Sequence, residues 1–409
     1  MASVAIGLCI MGDSLLYSIL PLEAARLAIP LSMVGVLLSV NRLIRLVSNT
    51  LLSNVYERIG PRLPFLLGTL AAVVTTTIYG VGRGLLVFFL ARLVWGATWS
   101  ALRQGGNQAL WVFAQSERAK MAGVLGGGIH LGSTVAVLLG GYLWDRFGYH
   151  STLIIIAALT ALAVPLALLI PWDQRSQPRL RSYRLSAGDI KEVLSQPLWR
   201  SLLLVGLCDS SFEGVVVATT SLMLVQRIGP DPLIRLGIGA GSAVGAIMAV
   251  RFISRIVFGP LFGAVADRFG HTRSVITFTV ILLILVFGAV QSTGWWLLAL
   301  LCLVFFVSTG VGVSLSALVN GTALKLPRPH LFLGLHASAM DAGLASGPIL
   351  AYGIGARVGL PFMYMAVTSI LMLAVMNYWR TQRRAVPVGV ACTTRPCPGP
   401  AGCDRDILP

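Results

Sequence analysis

Gly259-Pro-Leu-Phe-Gly-Ala-Val-Ala-Asp-Arg-Phe-Gly-His-Thr-Arg273 joins two long apolar runs and places small residues, an acid and several bases where a membrane helix is expected to end. An altered copy, Ser53-Asn-Val-Tyr-Glu57-Arg58-Ile-Gly60-Pro-Arg62, lies 210 residues earlier, with Ser53 answering Gly263. The offset recurs in the preceding runs. Val40-Asn-Arg-Leu-Ile-Arg-Leu-Val47 is answered by Val250-Arg-Phe-Ile-Ser-Arg-Ile-Val257, which sets Arg45 against Arg255 and Asn41 against Arg251. The chain reads as two versions of one unit.

Composition excludes a single soluble core. Of 409 residues, 56% are hydrophobic and 11% charged, against roughly 25% charged in an ordinary soluble chain. A transmembrane helix needs about 20 consecutive, mostly apolar residues. Twelve such runs are predicted, near 2–20, 31–53, 63–81, 86–110, 119–143, 150–171, 200–226, 237–262, 273–291, 295–320, 331–354 and 361–380. The first is too long, too polar at Asp13 and too poorly flanked for a cleaved signal peptide. The connection 172–199 is polar, and Ser186 to Leu194 is expected to form a short amphipathic surface helix there. It divides the chain into an N-terminal six-helix half, 1–171, and a C-terminal half, 200–380. Residues 381–409, rich in Pro and Gly, are expected to be a disordered tail.

The net charge of +16 reads as topology once it is placed. With a cytoplasmic N-terminus, inside connections and tails hold 20 of the 31 Lys and Arg, outside connections 6, and helices 5. Cytoplasmic loops carry this excess, so both termini are expected inside the cell membrane, and the basic face is expected to meet anionic lipid rather than nucleic acid. Cys9, Cys208 and Cys302 lie in apolar runs and read as packing residues, while Cys392, Cys397 and Cys403 match no zinc spacing. No metal or other cofactor is expected. The sequence has no Gly-Lys-Ser/Thr phosphate loop and no Gly-x-Ser-x-Gly elbow, which points away from an enzyme and from ATP-driven transport.

An apolar helix ending in Gly263-xxx-Asp267-Arg268-x-Gly270-xx-Arg273 resembles the loop motif of the major facilitator superfamily, which joins helices two and three and is echoed between eight and nine. Helix four carries Arg92-Leu-Val-Trp-Gly96, similar to a second signature whose Arg is implicated in proton handling. Helix five runs Gly123, eight residues, Gly132, three residues, Ala136-Val137, two residues, Gly140-Gly141. Helix eleven repeats it 211 residues on as Gly334, eight residues, Gly343, three residues, Gly347-Pro348, two residues, Ala351. The antiporter branch of the family has Gly-Pro where helix five has Ala136-Val137. The resemblance covers about residues 1–380. It implies an all-α membrane protein of twelve transmembrane helices in two pseudo-symmetric halves, each built from inverted three-helix units. It further implies a charge lock at Asp267, Arg268 and Arg273, weakened at Glu57, Arg58, Gly60 and Arg62. Gly259-Pro260 and Gly263 are expected to let helix eight pack closely.

A charge at mid-bilayer costs about 2.5–3.5 kcal/mol on insertion scales, so intramembrane charges are the candidate site. They are Asp13, Asp209, Glu213 and Asp341 with Arg42, Arg45, Arg92, Arg251 and Arg255, joined by His130 and His336. A carboxylate moved between an apolar pocket and an Arg loads and releases a proton. Asp13 is the first candidate for that role, Glu213 and Asp209 the next; the other reading is that these acids neutralise buried arginines. Asp341 reads equally as a ligand for a cationic substrate or a docking residue. His130 reads as a proton relay or as a residue making one backbone hydrogen bond. If Arg45 and Arg255 face the cavity the substrate is anionic; if they pair with the acids the cavity suits amphiphilic compounds, with Tyr17, Trp95, Trp99 and Phe212 to line it. The sequence therefore predicts a monomeric secondary transporter with a small-molecule substrate and protons as coupling ion, most simply for efflux of amphiphiles. An organic-anion transporter is the alternative, and a non-transporting sensor or scaffold the remote one.

Overall fold

In the computed structural model, the described residues are 1–114, 117–172, 191, 193–228, 239–323 and 329–385. The expected surface helix at 186–194 falls almost wholly outside them, as does the tail from residue 386 with its three cysteines. The described chain is helical throughout, with no strand.

Helix one is Ala2–Cys9 and Met11–Glu23, interrupted at Ile10. The first apolar run ends near residue 20, yet the helix continues through Pro21 to Glu23. A proline removes one hydrogen bond and crowds the carbonyl four residues back, which the last turn of a helix absorbs. Helix two is Leu31–Leu43 and Arg45–Ile59, interrupted at Ile44; helix three is Arg62–Val81 and helix four Leu85–Ala109. Helices five and six share the stretch Arg118–Ala161 and are separated at Gly148, whose backbone is non-helical; helix six continues as Ala163–Leu168. Helix seven is Pro197–Ile228. Helix eight starts at Ala240, passes through a π-turn at Ser254–Phe258 and continues as Gly259–Phe269. Helices nine, ten, eleven and twelve are His271–Gln291, Gly294–Ala323, Pro329–Gly353 and Leu360–Ala385.

Ten of the described helical stretches are long and apolar enough to cross a membrane. One of them, Lys120–Leu168, has 49 residues and contains helices five and six. Pro329–Gly353 is not among the ten; His336, Asp341, Pro348 and its glycines and serines interrupt its apolar residues. Each of the twelve predicted runs thus coincides with a helix.

Helix seven lies along eleven, five along eight, two along eleven and one along five. Small residues make these approaches possible. A Cβ on Gly132 would strike the backbone of Gly7, and one on Gly343 the carbonyl of Leu207. A Cβ on Gly347 would strike Gly214, one on Gly141 the carbonyl of Gly241, and one on Gly140 the side chain of Leu15. The motif is not uniform, however. Gly123, Gly334 and Gly259 face open space, and Gly263 reaches only Val313 at 4.0 Å. The close packing expected at these four positions is absent, because the helices they belong to have diverged from their neighbours toward that end of the bundle.

One turn recurs four times. Glu57-Arg58-Ile59-Gly60, Asp145-Arg146-Phe147-Gly148, Asp267-Arg268-Phe269-Gly270 and Ala356-Arg357-Val358-Gly359 follow helices two, five, eight and eleven. Their glycines sit at φ of 78°, 75°, 88° and 90°, the left-handed region that a side chain disfavours. Since successive helices reverse direction, the first and third turns share one face of the bundle and the second and fourth the other.

Close approach at Gly132 yields a test. Gly132→Val is expected to lower the thermal midpoint of the detergent-purified protein by several degrees, overpacking costing about 1–3 kcal/mol. Gly123→Ala, facing open space, should leave it level or raise it slightly; equal losses at both positions would refute the backbone contact.

Candidate functional site

Two clusters of charge lie within the bundle, the first buried and the second partly buried. Asp13 on helix one is buried and Arg92 on helix four is wholly so. The Nη1 of Arg92 donates to Asp13 Oδ1. Its Nε donates to the Leu37 carbonyl at 2.9 Å and its Nη2 to the Tyr17 hydroxyl at 3.4 Å. Asn41 Nδ2 donates to the same Asp13 oxygen at 3.4 Å, and the Tyr17 hydroxyl donates to the Leu38 carbonyl at 2.9 Å. Helices one, two and four are therefore joined at one point. Gly12 keeps the approach to helix three open, since a Cβ there would collide with Thr76.

The second cluster is on helices seven and eight. Glu213 Oε1 accepts from Arg251 Nε at 2.9 Å and from Arg255 Nη2 at 2.6 Å. The two clusters follow one template. Asn41 and Arg251, equivalent in the repeat, each reach the acid of the preceding helix, and each arginine helix is irregular at the equivalent place, Ile44 and Ser254. Irregular turns of this kind gather at functional positions.

The partners of Arg45 and Arg255 differ. Arg255 is held by Glu213, but Arg45, 4% exposed, has no carboxylate within ion-pair distance among the described residues. Its guanidinium lies 5.5 Å from the Trp99 ring, and its Nε has no hydrogen-bond partner. Arg42 lies 6.0 Å from the Tyr17 ring. Asp209 and Asp341 are buried and have no ion-pair partner among the described residues. His336 is buried under Gly206 with its Nδ1 unpartnered, and His130 packs 6.1 Å from the Phe252 ring.

The loop residues expected to form a charge lock are apart in this arrangement. Among the described residues Asp267 pairs with His271 alone, at 3.8 Å, and Glu57, Arg58 and Arg268 are exposed. Arg62 and Arg273 likewise form no ion pair among the described residues.

Two acids went unnoticed in the sequence because they sit at helix ends. Glu23 is buried and accepts from Trp144 Nε1 at 2.9 Å and Arg26 Nη1 at 3.2 Å. Asp145 accepts from the amides of Gly241 and Ser242, at 2.9 and 2.7 Å, and from the Ser242 hydroxyl. The fourfold turn was the signal for Asp145: the same Asp-Arg-Phe-Gly stands at 145–148 and 267–270.

The ion pair across helices one and four is open to a direct check. Removing one partner of a buried pair leaves an uncompensated charge, at a cost of about 3–5 kcal/mol. Arg92→Met alone should lower the thermal midpoint sharply, and adding Asp13→Asn should recover part of the loss. Additive losses in that double-mutant cycle would refute the coupling.

Comparison with known proteins places this arrangement. The sequence model of the Major Facilitator Superfamily matches residues 2–255, and that of the MFS_1 like family matches 239–324. The multidrug resistance protein MdtG of Dickeya zeae (strain Ech586) is 25% identical over 362 residues, covering 86% of this chain and 84% of the relative. The MFS-type transporter SLC18B1 of Mus musculus is 25% identical over 390 residues, covering 88% of this chain and 80% of the relative. The crystal structure of the nucleoside transporter NupG superposes with a TM-score of 0.78 at 13% identity, over 93% of this chain and 98% of that one. A bacterial homologue of the human lysosomal transporter Spinster, in an inward-facing and unoccupied conformation, superposes with a TM-score of 0.70 at 13% identity, over 93% of this chain and 95% of that one.

Proposed function

The chain belongs to the major facilitator superfamily, and from that premise we propose that it exports small amphiphilic molecules in exchange for protons, by alternating access between its two halves, 1–171 and 200–380. The observation that carries the reading is the buried contact of Asp13 with Arg92 and Asn41. This carboxylate holds three helices by its negative charge. Protonating it removes the charge, frees Arg92 to turn to another acceptor and uncouples helix one from helices two and four. A proton and a helix arrangement thereby exclude or require one another, which is what coupled transport needs. The name of the MdtG relatives, multidrug resistance protein, agrees with such a substrate class.

Orientation follows from charge. The excess of Lys and Arg puts the turns at Gly60 and Gly270, together with both termini, on the cytoplasmic side of the cell membrane. Helices from the two halves touch at the opposite side: Gly141 meets Gly241, Gly35 meets the Pro348 carbonyl, and Ser39 Oγ donates to the Ala345 carbonyl at 2.5 Å. This is a state closed to the outside, and the parted Asp267 and Glu57 turns belong to its open cytoplasmic side. The protein acts as a monomer in the lipid bilayer.

Arg45 favours a second reading. Buried beside Trp99 and with no carboxylate within ion-pair distance among the described residues, it would suit the acid group of an organic anion. Proteoliposomes with an acidic lumen separate the two. Uptake of a cationic dye, driven by the gradient and abolished by Asp13→Asn, is expected. Uptake of organic anions alone, surviving Asp13→Asn but lost in Arg45→Ala, would replace the first reading with the second.

A further inference from the structure

Asp145 lies outside the buried site and is exposed, yet its carboxylate accepts three hydrogen bonds from another helix. It stands at the last turn of helix five, and what it binds is the start of helix eight. The first amides of a helix have no partner within it. In helix eight the residue just outside, Gly239, has no side chain to supply one, and no side-chain cap is present. Asp145 takes that place from another helix. One carboxylate oxygen receives the Gly241 amide at 2.9 Å, the other the Ser242 amide at 2.7 Å and the Ser242 hydroxyl at 2.5 Å. The sequence on helix eight makes room for it. A Cβ on Gly239 would overlap the Asp145 carboxylate, and one on Gly241 would overlap the Trp144 ring.

The partners belong to different halves of the proposed rocking pair, and they sit on the face where those halves touch. The bond therefore exists only while that face is closed. Its place in the fourfold turn sharpens this point. The turns at Glu57 and Asp267 carry an acid on the other face, and there the acids are exposed and hold no helix start. The fourth turn, which shares a face with Asp145, has Ala356 in place of an acid. Facing it across the bundle, helix two begins after Pro30 with no side-chain cap. The closed outer face is thus held by a carboxylate on one side only.

We infer that Asp145 is a positioning residue of the transport cycle: its carboxylate latches helix five to the N-terminus of helix eight and sets the balance between outward-closed and outward-open states. The inference rests on the alternating-access reading given above. Charge-assisted bonds to a helix start favour the state that contains them. Loss of an N-cap carboxylate should raise the ratio of outward-open to outward-closed molecules about three- to tenfold.

Electron–electron resonance distances on the full chain, with its native cysteines replaced by serine, test this. One spin-labelled pair spans the outer face, Arg83→Cys with Thr293→Cys, and one the cytoplasmic face, Leu63→Cys with Phe269→Cys; all four positions are exposed. In Asp145→Asn the outer pair should gain long distances while the inner pair gains short ones, and Asp145→Glu should restore both. Unchanged distributions would reduce Asp145 to a local helix cap and overturn the proposal. So would outer and inner distances lengthening together, which marks loosening of the bundle rather than a shift between states. The measurement needs no substrate, so a wild-type protein that moved no compound in proteoliposomes would sink the transport reading and leave the latch result standing.

Discussion

A charge inside a membrane-spanning bundle has to be answered from another helix, and this structure is arranged around that constraint. Water cannot stabilise Asp13 at its depth, so Arg92 and Asn41 donate to it instead, while the Leu37 carbonyl accepts from Arg92 and the Leu38 carbonyl from Tyr17. Arg92 is wholly buried because all its bonds are made inside the protein. The consequence is positional. Helices one, two and four cannot slide past one another without separating charges, whereas apolar contacts alone would permit it. Glu213 imposes the same restraint on helices seven and eight through two arginines. Each half therefore holds its own acid near its own arginine helix, and no ion pair crosses between halves among the described residues.

What crosses between halves is close backbone approach at small residues, together with the Asp145 carboxylate on the start of helix eight and the Ser39 hydroxyl on the Ala345 carbonyl. Helix five meets helix eight, and helix two meets helix eleven, through Gly141, Gly241, Gly245 and Gly35 rather than through interlocking large side chains. Such contacts give modest dispersion energy over a small area and carry no charge to strand when they part. The division suits a molecule whose halves stay rigid while their mutual contact changes. Buried ion pairs hold each half together, while small residues and one exposed carboxylate, Asp145, line the contact between them.

Much of this was legible in the sequence, and the limit has a physical cause. Repeats at offsets of 210 and 211 are properties of spacing, so Arg45 with Arg255 and the glycine series of helices five and eleven could be set in register by inspection. Composition alone identified the intramembrane acids as unusual. Pairing was not legible. Asp13 had five arginines to choose from, and its partner, Arg92, lies 79 residues away on a helix whose rotation no periodicity reveals. Nor was the difference between close-packed Gly132 and unpacked Gly123, since both belong to one spacing and only the direction of the neighbouring helix separates them. Asp145 was missed for another reason: attention to charges within helices passes over charges at their ends, where backbone amides rather than side chains are the partners.

The two halves keep one template and differ in what neutralises it. At the second arginine position of helix eight, Arg255 is bonded to Glu213; at its counterpart on helix two, Arg45 has an aromatic ring in place of an acid. A guanidinium over a ring face is stabilised less fully than one on a carboxylate, and its unpartnered Nε retains a demand for an acceptor. Strict symmetry would have placed an acid there and left the centre inert. The asymmetry concentrates unmet polar demand on helix two, within one half, beside Trp99. A molecule with an apolar body and one hydrogen-bond acceptor would satisfy that demand with its polar end and lay its body against the ring.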